Sequence, residues 1–105
     1  MNEITKELLA EFKERMKLSD DEDGNLTRIL SASVEDLTDK CGLYDLHTSA
    51  RFKELVFERS RYAYNDALEY FNANFLTQIN SLALSRAFAE MRELDATIQI
   101  YPQIK

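Results

Sequence analysis

The sequence predicts an all-α protein: a compact bundle of about four helices, followed by a short extended, strand-like tail at the C-terminus. Three observations carry this. Two glycines and one proline among 105 residues leave little turn chemistry for a sheet. Apolar residues recur at spacings of three and four through four successive segments. A 105-residue chain with 45% hydrophobic and 30% charged residues has room for one domain around one modest core. That domain is expected over residues 1–95, and the tail over residues 96–105.

The first helix is expected near residues 3–17, where Ile4, Leu8, Leu9, Phe12 and Met16 alternate with charged residues at amphipathic spacing. The run Ser19-Asp-Asp-Glu-Asp-Gly24 fits a helix start. Ser19 is the expected N-cap, Glu22 completes a capping box, and the acids suit the positive end of the helix dipole. The second helix then presents Leu26, Ile29, Leu30, Val34, Leu37 and Cys41. Small residues at Ser31, Ala32 and Ser33 permit a close neighbour, and Gly42 closes the helix as its C′ residue. Thr48 or Ser49, at the end of a connector, caps the next helix.

Residues 50–72 are the densest apolar stretch and should form a central helix largely surrounded by other elements. Phe52, Leu55, Val56, Tyr62, Ala63, Ala67 and Tyr70 lie on one side, with Phe57, Tyr64, Leu68 and Phe71 adjoining. Arg59 and Asp66 fall inside the apolar arc, two turns and roughly 10 Å apart, too far for a direct pair. Each should therefore meet a partner on another helix or another chain. A break or bend is expected around Asn72-Ala-Asn74. A fourth helix, near residues 76–94, carries Leu76, Ile79, Ala83, Leu84, Ala87, Phe88, Met91 and Leu94. Beyond it, Ile98, Ile100, Pro102 and Ile104 alternate with polar residues and Tyr101 as in an edge strand. Lacking a matching strand elsewhere, this tail would add to another protein or to a neighbouring subunit.

Charge and chemistry narrow the function classes. Nineteen acidic against thirteen basic residues give a net charge of −6, the wrong sign for gripping phosphate backbones. Cys41 is the single cysteine and His47 the single histidine. The first reads as a buried small hydrophobe and the second as a loop or packing residue, so no nucleophile–base pair or Cys/His metal spacing emerges. Around Asp20, Asp21, Glu22 and Asp23 a calcium loop is the tempting reading. Taking Gly24 as its sixth position puts Ser19 first and Leu30 twelfth, where a bidentate glutamate is required. The expectation is a protein without enzymatic activity, cofactor or metal. With no run of 18 apolar residues and no signal-peptide layout at its N-terminus, it is also expected to keep off the membrane and to stay in the cytosol.

The run Arg59-Ser-Arg-Tyr-Ala-Tyr-Asn-Asp-Ala-Leu-Glu-Tyr-Phe71, with its flanks over residues 54–84, resembles the small helical head–tail connector proteins of long-tailed bacteriophages. The acidic turn and second helix, residues 19–42, are similar to that family as well. This likeness spans residues 4–94, leaving the tail outside it. It implies a structural adaptor that assembles as a ring of about a dozen copies on the portal vertex. Such a ring extends the DNA channel without specific DNA binding and receives a downstream head-completion (stopper) or tail protein. Localisation would be the head–tail interface of the virion, and the host cytoplasm during assembly. On this reading Arg59, Arg61, Tyr62, Asn65, Asp66 and Tyr70 serve packing or subunit contacts. Ile98, Ile100, Tyr101 and Ile104 dock to the portal or to a neighbour, and Asp20, Asp21, Glu22 and Asp23 could face the channel. The competing expectation is a monomeric helical interaction module or regulator with a single cytosolic partner.

Overall fold

The computed structural model describes residues 3–22 and 24–100, with residues 95–100 described through their backbone alone. Among the described residues all regular structure is helical: α1 (Lys6–Met16), α2 (Asn25–Cys41), α3 (Ala50–Tyr64), a 3-10 turn at Leu68–Tyr70, α4 (Phe71–Asn74) and α5 (Leu76–Ile100). Helices α2, α3 and the first half of α5 enclose the core, and α1 lies against α3. The core is made of Leu8 and Phe12 from α1, Leu26, Leu30, Leu37 and Cys41 from α2, Phe52, Leu55, Val56 and Phe57 from α3, then Leu46, Phe71, Ile79 and Leu82.

Local chemistry sets each helix end. Thr5 caps α1 by accepting the Leu8 amide at 3.1 Å, and α1 stops where Lys17 turns left-handed at φ 60°. There the Leu18 amide bonds back to the Lys13 carbonyl and the Lys17 amide to that of Glu14, a Schellman closure. The start of α2 differs from the expected capping box at Ser19. Glu22 and Gly24 both take positive φ, so the chain turns again before the helix can begin at Asn25. Asp21 supplies the cap instead, its carboxylate accepting from the Thr27 amide at 3.0 Å and the Thr27 hydroxyl at 2.8 Å. Ser49 caps α3, accepting the Phe52 amide at 3.2 Å.

The central stretch breaks earlier than the sequence suggested. α3 ends at Tyr64, because Asp66 adopts φ 57° and the Asp66 and Ala67 amides fold back onto the carbonyls of Ala63 and Tyr62. Aspartate tolerates the left-handed region better than most residues. The turn at Asn65 and Asp66 therefore does what Asn72 and Asn74 were expected to do. Those asparagines sit in α4 and are exposed. One consequence is that Tyr70 no longer shares a face with Phe52, nor Leu68 with Phe57. Leu68 is 39% and Tyr70 59% exposed, whereas Phe71 is buried.

Helix α5 also departs from expectation, in length and in facing. It continues to Ile100, and so takes in residues 97–100 of the segment whose alternation suggested a strand. A helix already running from Leu76 gains one hydrogen bond for each residue it adds, which outweighs the weaker helical preference of the β-branched Thr97, Ile98 and Ile100. Tyr101 and Ile104, the rest of the expected docking tail, lie outside the described residues, as does Asp23. Of the side chains assigned to the fourth helix, Ile79 alone is buried. Phe75, Ile79 and Leu82 meet the core, while Leu76, Leu84, Phe88, Met91 and Leu94 are each more than half exposed. The far half of α5 thus projects beyond the bundle, and the longest principal extent is 65 Å against 29 and 17 Å.

Candidate interaction surface

Arg59 and its neighbours tie the bundle together rather than facing outward. Ser33 on α2 and Ser60 on α3 are both fully buried, and the Ser60 hydroxyl donates to Ser33 Oγ at 2.9 Å. Side chains this small let the two helices approach closely. Arg59 spans the same seam, donating from Nη1 to Ser33 Oγ and from Nε to Asp36 Oδ2, both at 3.1 Å. Lys40 extends the network, donating to Asp36 at 2.8 Å and to Asn72 at 2.9 Å. The partner that Arg59 needed is therefore on another helix of its own chain. Asp36→Ala should cost about 2–3 kcal/mol, since it strands a half-buried guanidinium. Adding Arg59→Met should recover most of that loss. Urea unfolding of the single and double variants checks this, and an equally unstable double variant would refute it.

A second network holds α1 on α3. Arg15 donates to Glu54 at 2.5 Å and to Glu58 at 2.7 Å, Lys53 pairs with Glu11 at 2.8 Å, and Arg61 returns to Glu58 at 2.6 Å. Hydrogen bonding from Arg15 pulls the Glu54 carboxyl below its usual range and raises Arg15. These pairs are partly exposed, so each contributes a fraction of a kcal/mol. Arg61 also lies 5.2 Å over the Tyr62 ring. Tyr62 packs edge-on against Phe71 and Phe75, and its hydroxyl accepts from Asn74 at 3.0 Å. Arg61 and Tyr62, like Arg59, make packing contacts within one chain.

Asn65, Asp66 and Tyr70 behave differently. All three are exposed on the turn after α3. The acidic turn reaches the same end of the bundle, because the Tyr64 hydroxyl donates to Glu22 Oε2 at 2.7 Å. That bond, and the charge of Glu22 and Asp20 behind it, raises the Tyr64 pKa. Asp20 and Asp21 spend carboxylate oxygens on the turn itself, accepting from the amides of Glu22 and Thr27. No group of three or more His, Cys, Asp and Glu among the described residues is arranged to hold a metal ion.

An open cleft of about 560 Å³ lies between α3 and α5. Leu55, Phe75 and Leu82 lie along it, with Glu54 and Glu58 held by Arg15, and Arg51 donating to Ser81 at 2.6 Å. His47 is exposed in the connector, and its amide donates to Asp45. Cys41 is buried, and burial pushes its thiol pKa up.

Sequence reasoning missed the connector's part in this architecture. Leu46 is fully buried, Tyr44 stacks on Phe52 at 5.7 Å, and its hydroxyl donates to the Leu82 carbonyl at 2.6 Å. It also missed the exposed stripe of α5, whose signal was present in the 3-4-3 spacing of Leu84, Ala87, Met91 and Leu94. Around that stripe the molecule defines its class: a small helical bundle with one helix extended past its own core. No family model, curated protein or solved structure matches the chain. No helix among the described residues is long and apolar enough to cross a membrane.

Proposed function

We propose that this chain is a structural assembly protein, a head–tail connector of a long-tailed phage or prophage. It would sit on the portal and offer a platform to the next head-completion or tail protein. The observation that carries the reading is the distribution of exposed apolar side chains around a finished core. Leu68, Tyr70 and Leu76 cluster in sequence at the turn before α5, while Leu84, Phe88, Met91 and Leu94 occupy its far half. A connector needs two contact regions, and apolar surface of this extent on a small protein marks sites for other proteins. The resemblance in residues 54–84 supplies the particular assembly. The acidic balance of −6 suits a conduit through which phosphates must slide.

Electron microscopy of a lysate from phage lacking this gene tests the reading. The expected result is filled or leaking heads beside separate, complete tails, rescued by the wild-type gene and not by Tyr70→Asp. Normally joined particles would refute it.

A further inference from the structure

Arg86 stands one turn past Leu82, where α5 leaves the bundle. Its guanidinium lies over the Tyr44 ring, 4.8 Å from the centroid. The stem below it runs against Gly42, so closely that a Cβ on the glycine would be 2.6 Å from Arg86 Cγ. Arg86 Nε is buried in this packing and has no hydrogen-bond partner. Among the described residues it is the one buried side-chain nitrogen or oxygen left that way, in a class of atoms that native folds almost always satisfy. Two effects of the same order therefore oppose each other. A guanidinium over an aromatic face is held by the ring quadrupole and by the packing of its stem. A sealed N–H that donates to nothing has given up its hydration without return, and the loss is larger on a charged group. Arg86 as a whole is only half-buried, so rotation about its side-chain torsions carries the guanidinium into water without moving the helix.

We propose that Arg86 is a latch with two positions: closed over Tyr44 with Nε sealed, and open in water with Nε hydrated. Opposing effects of one order keep the closed position ahead by no more than about a hundredfold. A balance that close can be reversed by a modest bias. Closed, the latch fastens α5 to the connector and through it to the core, because Tyr44 stacks on Phe52 at 5.7 Å and donates to the Leu82 carbonyl at 2.6 Å. Open, it uncovers one face of the Tyr44 ring and leaves the connector's direct hold on α5 to the Leu82 bond. The position of one side chain thus links the projecting half of α5 to the first turn of α3, by way of Tyr44 and Phe52. This inference rests on the contacts of Arg86 and not on the connector reading.

Exchange of arginine Nε protons with water, followed by NMR on the full chain, tests it without any variant. Arg92, on an exposed stretch of the same helix, is the internal reference. The Arg86 Nε proton should exchange more slowly than that of Arg92, by about twofold to a hundredfold, since protection reads the ratio of closed to open. Arg86→Met then tests the opposition of effects. It keeps an unbranched stem and a favourable contact with the ring while removing the charge and the sealed N–H, so its urea midpoint should be no lower than that of the wild type. Three outcomes would each overturn the proposal. Exchange as fast as at Arg92 would leave the closed position unpopulated. Protection beyond the stated range would make Arg86 a fixed contact, and a midpoint lowered by Arg86→Met would make it an ordinary stabilising one. The phage deletion can succeed or fail independently of these.

Discussion

Phe52→Ala should lower the unfolding free energy by about 3–5 kcal/mol, as expected for an aromatic truncated in a packed interior. Against the 5–15 kcal/mol typical of a whole domain, that approaches loss of the fold. Phe52 is fully buried in the first turn of α3, and its ring carries more than its own contacts. Tyr44 stacks on it, and from that position donates to the Leu82 carbonyl. Removing the ring leaves a cavity and frees the connector from both α3 and α5. Chemical denaturation followed by far-ultraviolet circular dichroism gives the number. Phe52→Leu, which fills most of the space, should retain most of the stability, and a loss below about 1 kcal/mol for the alanine variant would show that the site collapses readily.

Gly42→Ala should cost about 2–4 kcal/mol, a large effect for one methyl group on a half-buried residue. Two independent causes add. Gly42 has φ 96° and ψ 178°, a region essentially reserved for glycine and worth about 1–3 kcal/mol of strain to any other residue. A Cβ there would also stand 2.6 Å from Arg86 Cγ and 3.2 Å from Arg86 Cβ, so α5 would have to move. The two causes separate experimentally. Gly42→Ala combined with Arg86→Ala relieves the clash and keeps the backbone strain, so the double variant should regain about half the loss. Full recovery would assign the whole effect to sterics, and no recovery would assign it to the backbone.

What could be read in the sequence follows from which signals are local. The apolar faces of α1 and α2 were legible because each has one arc only: Leu8 and Phe12, then Leu26, Leu30, Leu37 and Cys41, are buried as their spacing requires. Gly42 and Ser49 announced helix ends through chemistry that few other residues supply. The break after α3 was misplaced because its agent is an aspartate, and Asp66 in the left-handed region depends on closing bonds to Ala63 and Tyr62 that spacing does not display. Helix α5 carries two apolar arcs, and periodicity cannot say which one meets a core. The candidate contacts divided for a similar reason. Arg59 was rightly flagged as needing a partner, yet only the fold shows that partner to be Asp36. Asn65, Asp66 and Tyr70 remain available at the surface because the chain turned before reaching them.

Tyr44 is also where one continuous helix acquires two different resistances to opening. Up to Leu82, α5 is fastened by Ile79 and Leu82 in the core and by the connector's hydroxyl on its carbonyl. Arg86, one turn on, still lies over the Tyr44 ring at 4.8 Å; beyond it none of the described apolar side chains is buried, and isolated helices shorter than about 12–15 residues are marginal in water. Fraying can therefore begin at the far end and run back as far as Arg86 without disturbing the bundle. A partner that covers the far half would be selecting its helical state as well as touching it, and part of the binding free energy would go into ordering those turns.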